Sequence, residues 1–318
     1  MSSNASPDVA AGVAEEPPGG EVAIAAGDQR AVVVCAGGGL RAYTVGGRDL
    51  LDGSPPGAAP RSGRGQVLIP WPNRLEDGRY EFDGRRHQLP LNEPQRRNAI
   101  HGLVRSESWA VGAREPHRVV MEHTLQPRDG YPFTLALGIE YALSDAGLRV
   151  TTTATNIGAD ACPFGAGAHP YLTAGTPTVD SATLRVPADT VLRCDDRGLP
   201  IGAEPVAATD HDFRRTRLIG TTHLDHAFTD LDRGADGLAR VELAGAPGDG
   251  LTLWLGEAFG YVMVFTGDPL PDVARHSIAI EPMTCPPNAF RTGDAVVRIE
   301  PGGSFRGVWG ITPATGHG

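Results

Sequence analysis

The feature that most constrains this chain is a short-range alternation of apolar and polar residues, repeated many times and cut each time by a turn signal. The run RYEFDGRRHQL, residues 79–89, sets Tyr80 and Phe82 on one face, turns at Asp83-Gly84 and comes back. Side chains that alternate with period two belong to a strand, and Asp-Gly between two such runs is a hairpin turn. LALGIEYALSDAGLRVTTTATN repeats the plan with a turn over residues 144–147, and RVELAGAPGDGLTLWLGEAF does so through residues 245–250. No window of a dozen residues carries a convincing 3.6-residue period. Glycine and proline, 42 and 27 of 318 residues, are spread through the chain rather than gathered in one tract, as many turns require. The expectation is a mostly β chain, a large antiparallel β-sandwich formed by one domain over residues 21–316 after a loose tail over residues 1–20.

Charge removes several classes of function. The formal charge is −10 at pH 7 and no arginine run exceeds two residues; a nucleic-acid or anionic-membrane surface needs a concentrated basic patch. All 28 basic residues are arginine. Without lysine, a Schiff base, a Walker-type phosphate loop and a lysine general base are excluded. Cys35, Cys162, Cys194 and Cys285 lie far apart with no CxxC pair, so neither a zinc ribbon nor a disulfide framework is indicated, and reduced thiols in a cytoplasmic protein are expected. The first twenty residues have no basic start and no apolar centre, unlike a signal peptide, and no 18-residue apolar stretch suggests a membrane span.

The segment VVVCAGGGLRA matches the dinucleotide fingerprint at Gly37-x-Gly39-x-x-Ala42. That motif demands a helix next, whereas the chain continues with AYTVGG. A glycine turn between two strands is the better account.

Two other stretches carry chemistry. In RHSIAIEP, Ile278 and Ile280 point one way, while Ser277, Ala279 and Glu281 point the other. In FGAGAHPYL, Gly165, Gly167 and His169 share a face. Each strand ends in an acid–base group before a proline, beyond residues with almost no side chain, and together they read as two walls of a pocket with empty volume beside the glycines. Taken singly, His169 reads as a core histidine and Glu281 as a rim carboxylate; the parallel arrangement favours function. His101 before Gly102, Asp225 beside His226, and Arg74 after Trp71 and Pro72 are further candidates, each with a plain reading as a loop, turn or surface residue. A metal could in principle use His101, His169, His223, Asp225 and His226. However, His-x-Asp-His is not a recurrent zinc spacing, and strand neighbours Asp225 and His226 would face opposite ways. A GxSxG nucleophile elbow is absent.

The order NRLEDGRYEFDGRRHQLPLNE…NAIHG, GAHPYL, LDHAF and IAIEPMTCPPNAF resembles the aldose 1-epimerase (mutarotase) family typified by galactose mutarotase, over about residues 22–311. The resemblance implies a large β-sandwich and an isomerase that interconverts sugar anomers, with a small-molecule aldose as partner and no metal or cofactor. Carried over by motif, His169 is the general acid and Glu281 the general base. Arg74, His101 and Asp225 hold the sugar, with Trp71 and Tyr171 in the same substrate-binding set; Trp71 either stacks on a sugar face or packs in the core. Asp225 and Glu281 are expected to raise the pKa of His169 toward a cation, and the glycines at 165 and 167 to leave room for the opened sugar to rotate. Trp71-Pro72 before Asn73-Arg74, and LVRSESW after His101-Gly102, depart from the galactose mutarotases toward a less characterised bacterial branch. Two alternatives remain open: a sugar-binding or sensor module without turnover, and an epimerase for a phosphorylated or sulfonated hexose gripped by Arg96, Arg97 or Arg105.

Overall fold

The computed structural model describes residues 20–245, 248–270 and 273–314. The expected tail lies outside them except for Gly20, as do the last two residues of the expected domain.

Local turn chemistry explains the hairpins. Strand Arg79–Phe82 pairs antiparallel with Arg85–Gln88, and both turn residues are left-handed, Asp83 at φ 49° and Gly84 at φ 72°, as a tight two-residue hairpin turn requires. Strands Leu135–Ser144 and Gly147–Asn156 stay in register along their whole length, and Ala239–Ala244 pairs with Gly250–Leu255. In the glycine-rich segment, Gln29–Val34 pairs with Leu40–Val45. Gly37 and Gly38 turn with positive φ, and a Cβ on Gly38 would lie 2.7 Å from the Trp109 ring. The segment is a turn packed on an indole, with no helix to receive a phosphate.

Two antiparallel sheets dominate, as the alternation predicts. The nine-stranded sheet runs from Ala110–Glu115 through Leu135–Ser144, Gly147–Asn156 and Ser304–Pro313 to Arg217–Leu218 at its other edge. The eight-stranded sheet carries Ala188–Cys194, Asp225–Leu231, Tyr261–Phe265 and Ile278–Met283 in succession, then Gly167–Ala168 and Val67–Leu68, with Tyr171–Leu172 also paired to Ile278–Met283. Ile139, Val150, Leu253 and Trp309 of the first sheet join Val262, Val264, Ile278 and Ile280 of the second in one buried cluster. Each fully buried aliphatic side chain there contributes about 1.5–3 kcal/mol.

The same alternation gives the smaller sheet a second face. With Ile278 and Ile280 in the core, Ala279 and Glu281 point away from it beside their cross-strand neighbours Phe265 and Met263. Asp225 stands opposite Phe265, and Tyr171 opposite Ala279. The small Ala279 between two aromatic rings leaves room in front of this face.

Candidate active site

That face floors a cleft of about 640 Å³, with Asp225, Met263, Phe265 and Glu281 below and Gly63, Arg74, His101 and Arg105 around it. His169 and Tyr171 also line it. Nε2 of His169 lies 3.3 Å from Oε1 of Glu281, and the two residues are only 5% and 2% exposed. Residues 112 positions apart in sequence thus meet in one cleft. A neighbouring hollow of about 680 Å³ shares Pro60, Gln66, Arg105 and Ser106 with the cleft, but neither His169 nor Glu281 lines it. The acid–base chemistry therefore belongs to the smaller one.

Backbone contacts fix the imidazole. His169 N–H donates to the Gln66 carbonyl at 3.1 Å, and its own carbonyl accepts from Gly65 N–H at 2.9 Å. Gly63, at φ +83°, comes so close that a Cβ there would sit 2.6 Å from the ring carbon Cδ2. The Tyr171 ring stacks on the imidazole at 4.9 Å and 8°, and the His101 ring meets it edge-on at 5.3 Å.

Arg74 opens strand Arg74–Glu76, which pairs antiparallel with Asn98–Ile100 just before His101, and the two segments lock one another. Asn73 and His101 both adopt positive φ. Asn73 N–H donates to His101 Nδ1 at 3.2 Å, and His101 N–H donates back to the Asn73 carbonyl at 2.9 Å. A ring nitrogen that accepts has no proton, so neutral His101 carries its hydrogen on Nε2 and offers a donor. Arg74 forms a two-pronged ion pair with Glu93, Nε to Oε2 at 3.0 Å and Nη2 to Oε1 at 3.2 Å. Glu93, on the cleft wall, was not among the sequence candidates. Its only signal is acidity, and its partner is fixed by folding.

Burial governs the proton balance, and here the sequence expectation is corrected. His169 is pushed well below the ordinary histidine range, first by burial and then by the charges of Arg105, Arg64 and Arg74, with a backbone hydrogen bond opposing. Glu281 is pushed well above the carboxylate range by burial and by nearby Asp225, with Arg74 opposing. His101 is lowered by burial first, then by His169, Arg105 and Arg74. Burial thus favours the neutral form of each group, against the imidazolium and carboxylate expected from exposed reference values.

Three other expectations change. Trp71 is 2% exposed and packs on Phe290 at 5.6 Å, so it belongs to the core and not to the cleft. Gly165 and Gly167 leave no free volume: a Cβ on Gly165 would stand 2.5 Å from the Cys285 sulfur, and one on Gly167 would stand 2.9 Å from Pro72. They permit close packing behind the wall. Arg97 turns outward to Asp77 at 3.2 Å, whereas Arg96 and Arg105 do line the cleft. Asp225 faces the cleft, while His226 accepts the Asp225 N–H and packs against His211 at 4.1 Å.

His101, His169 and Glu281 bring ligand-type atoms within 4.8 Å of one another, a different set from the one considered in the sequence. A metal-binding histidine ordinarily donates its second N–H to an acceptor. His101 does the reverse, because Nδ1 takes a backbone N–H, and the nitrogen left for a metal bears a proton. The set suits hydrogen bonding to a sugar better than metal ligation.

The family pattern described as aldose 1-epimerase matches residues 21–312. The uncharacterized protein YihR of Escherichia coli K12 is 36% identical over 289 residues, 91% of either chain. Among solved structures, an aldose epimerase homologue from C. elegans superposes with a TM-score of 0.80 at 20% identity, covering 93% of this chain and 99% of that one. A galactose 1-epimerase from Lactobacillus acidophilus does so with a TM-score of 0.76 at 22% identity, covering 92% and 94%.

Proposed function

This chain belongs to the aldose 1-epimerase family, and we propose that it interconverts the α and β anomers of a hexose by opening and reclosing the sugar ring. The observation that carries this reading is the contact of His169 Nε2 and Glu281 Oε1, 3.3 Å apart and buried in the cleft. Opening a cyclic hemiacetal takes a proton from the C1 hydroxyl and gives one to the ring oxygen; the bond from C1 to the ring oxygen breaks and an aldehyde forms. Both oxygens sit on one carbon, so an acid and a base side by side can serve them together. The pair needs one transferable proton in all.

Burial favours that proton on Glu281. The hydroxyls of a bound sugar solvate the pair, the Arg74 charge favours the Glu281 carboxylate, and passage of the proton to His169 gives the acid and base of the family pattern: Glu281 accepts from the C1 hydroxyl while His169 donates to the ring oxygen. After rotation about the C1–C2 bond the two exchange roles and the ring closes on the other face of the aldehyde. Each positioned transfer is worth about 10²–10⁴ in rate. Arg74, the Nε2–H of His101 and Asp225 hold sugar oxygens, and Tyr171 backs the imidazole.

A second reading has its own support. Arg105 lines the cleft half-buried; among the described residues its guanidinium makes a single hydrogen bond, 3.4 Å to Gln66 Oε1, and no carboxylate pairs with it or with Arg96. Such cations suit a hexose bearing a phosphate or sulfonate group. Anomer exchange measured by polarimetry on glucose, galactose, a hexose 6-phosphate and a 6-sulfonated hexose tests both. Acceleration above the buffer rate on any of them supports an epimerase, and an advantage for the anionic sugars that disappears in Arg105→Gln supports the second reading. Sugar binding with the exchange rate left at the buffer value overturns both in favour of a non-catalytic module.

A further inference from the structure

Behind the cleft lies a stack that proton transfer to the sugar does not itself use. The face of Tyr171 turned from His169 is covered by Arg64, whose guanidinium carbon stands 4.2 Å from the ring centre. Arg64 is 7% exposed, and its Nε and Nη2 donate to one oxygen of Asp52 at 3.3 and 3.1 Å. The same Asp52 oxygen accepts the Ser277 hydroxyl at 2.6 Å, and the Tyr171 hydroxyl is committed to the Ser62 carbonyl at 3.0 Å. Cation, phenol ring and imidazole thus form three layers, clamped at the back by an aspartate.

A guanidinium in this place acts on the imidazole in two ways. Its field opposes a second positive charge a few ångströms beyond the ring. It also draws on the negative face of Tyr171 from behind, leaving that ring less able to stabilise an imidazolium on its other side. The other groups facing His169 are Glu281 and His101, and Arg74, Arg105 and Asp225 are further charges around the cleft. Arg64 is the one whose charge is delivered through a parallel aromatic stack.

We propose that Arg64, held by Asp52, is a positioning residue that sets the proton balance of the His169–Glu281 pair through the Tyr171 ring. The inference rests on the acid–base reading of the site, and its test separates the two. If one shared proton drives the reaction, kcat/KM against pH is bell-shaped and its two limbs are the macroscopic pKa values of the pair. Arg64→Met removes a positive charge and leaves Asp52, so both limbs move to higher pH by about one unit. Asp52→Asn leaves Arg64 without its counter-charge, and both limbs move to lower pH. Arg64→Lys keeps the charge and holds the limbs near the wild-type positions.

A residue that only packed would lower rate or melting temperature in these variants and leave the limbs in place, or shift them in one direction; either result overturns the proposal. The titration of His169 followed by imidazole nitrogen NMR reads the same quantity without turnover. The expected order of pKa is Asp52→Asn below wild type and wild type below Arg64→Met. If no sugar is accelerated, the functional reading fails while this order still tests the role of Arg64. Should Arg64→Met not fold, the downward shift in Asp52→Asn is the test, and its absence refutes the inference.

Discussion

Two glutamates border the same cleft, and each meets a basic side chain, yet the pairs are built for opposite ends. Glu93 grips Arg74 through two parallel hydrogen bonds at 3.0 and 3.2 Å, with both side chains a little over a tenth exposed. Glu281 touches His169 through one contact of 3.3 Å, with both side chains more deeply buried. A guanidinium does not surrender its proton in proteins, so the first pair is a fixed dipole that orients a donor. An imidazole and a carboxyl forced together out of water hold one proton between them, and the second pair can pass it on. Burial makes one pair structural and the other reactive because their basic partners differ.

The sharpest way to break this contrast is to remove one charge from the structural pair. Glu93→Gln leaves the Arg74 guanidinium partly buried without its counter-ion, and should cost about 3 kcal/mol in urea unfolding. Glu281→Gln substitutes a neutral amide for a buried carboxyl whose neutral form burial favours, and should leave stability at or above the wild-type value. Equal losses in the two variants would erase the distinction.

The pH dependence of stability sharpens it further. His169 and His101 have folded pKa values below the unfolded one, so the stability from keeping them neutral is complete above about pH 6.5 and is lost as pH falls below it. Glu281 works the other way: its folded value is raised, so its contribution is complete below about pH 4.3 and is lost as pH rises through the folded value. Calorimetry should show wild type melting lower at pH 5 than at pH 7. The melting temperature of Glu281→Gln should gain on wild type steadily as pH rises. A constant difference between the two across that range would contradict the assignment.

The smallest expected effects concern the aromatic neighbours. Tyr171→Phe keeps the stack on His169 and loses only the hydrogen bond to Ser62, about 1 kcal/mol in stability with anomer exchange near normal. Trp71→Phe should lower stability through lost packing on Phe290 while leaving the KM for sugar unchanged. A raised KM there would return Trp71 to the cleft.

How much of this was legible beforehand follows from the range of each interaction. The hairpin at Asp83-Gly84 could be read from eleven residues because a two-residue turn and the alternation beside it are local. The opposite facings of Ile280 and Glu281 were equally local. That His169 and Glu281 meet could be read only from the likeness of their two strands, each ending in an acid–base group before a proline, and from the resemblance of ordered motifs, since nothing in either strand encodes the other. The proton balance was misread because burial is a tertiary quantity: the same histidine exposed would have answered to Asp225 and Glu281. From sequence alone Gly165 and Gly167 read as open space, because the residues that fill it, Cys285 and Pro72, come from distant segments. Glu93, Met263 and Phe265 escaped for the same reason, although the alternation in YVMVF already put the last two on one face.

The central claim is that a buried imidazole and a buried carboxyl, sharing one proton, carry out the exchange. Exchange NMR at anomeric equilibrium, on whichever hexose the wild type accelerates, tests it most directly in His169→Asn and Glu281→Gln. The account predicts that each variant melts cooperatively and loses about 10²-fold or more of the catalysed rate. Retention of most of that rate by either folded variant would contradict it.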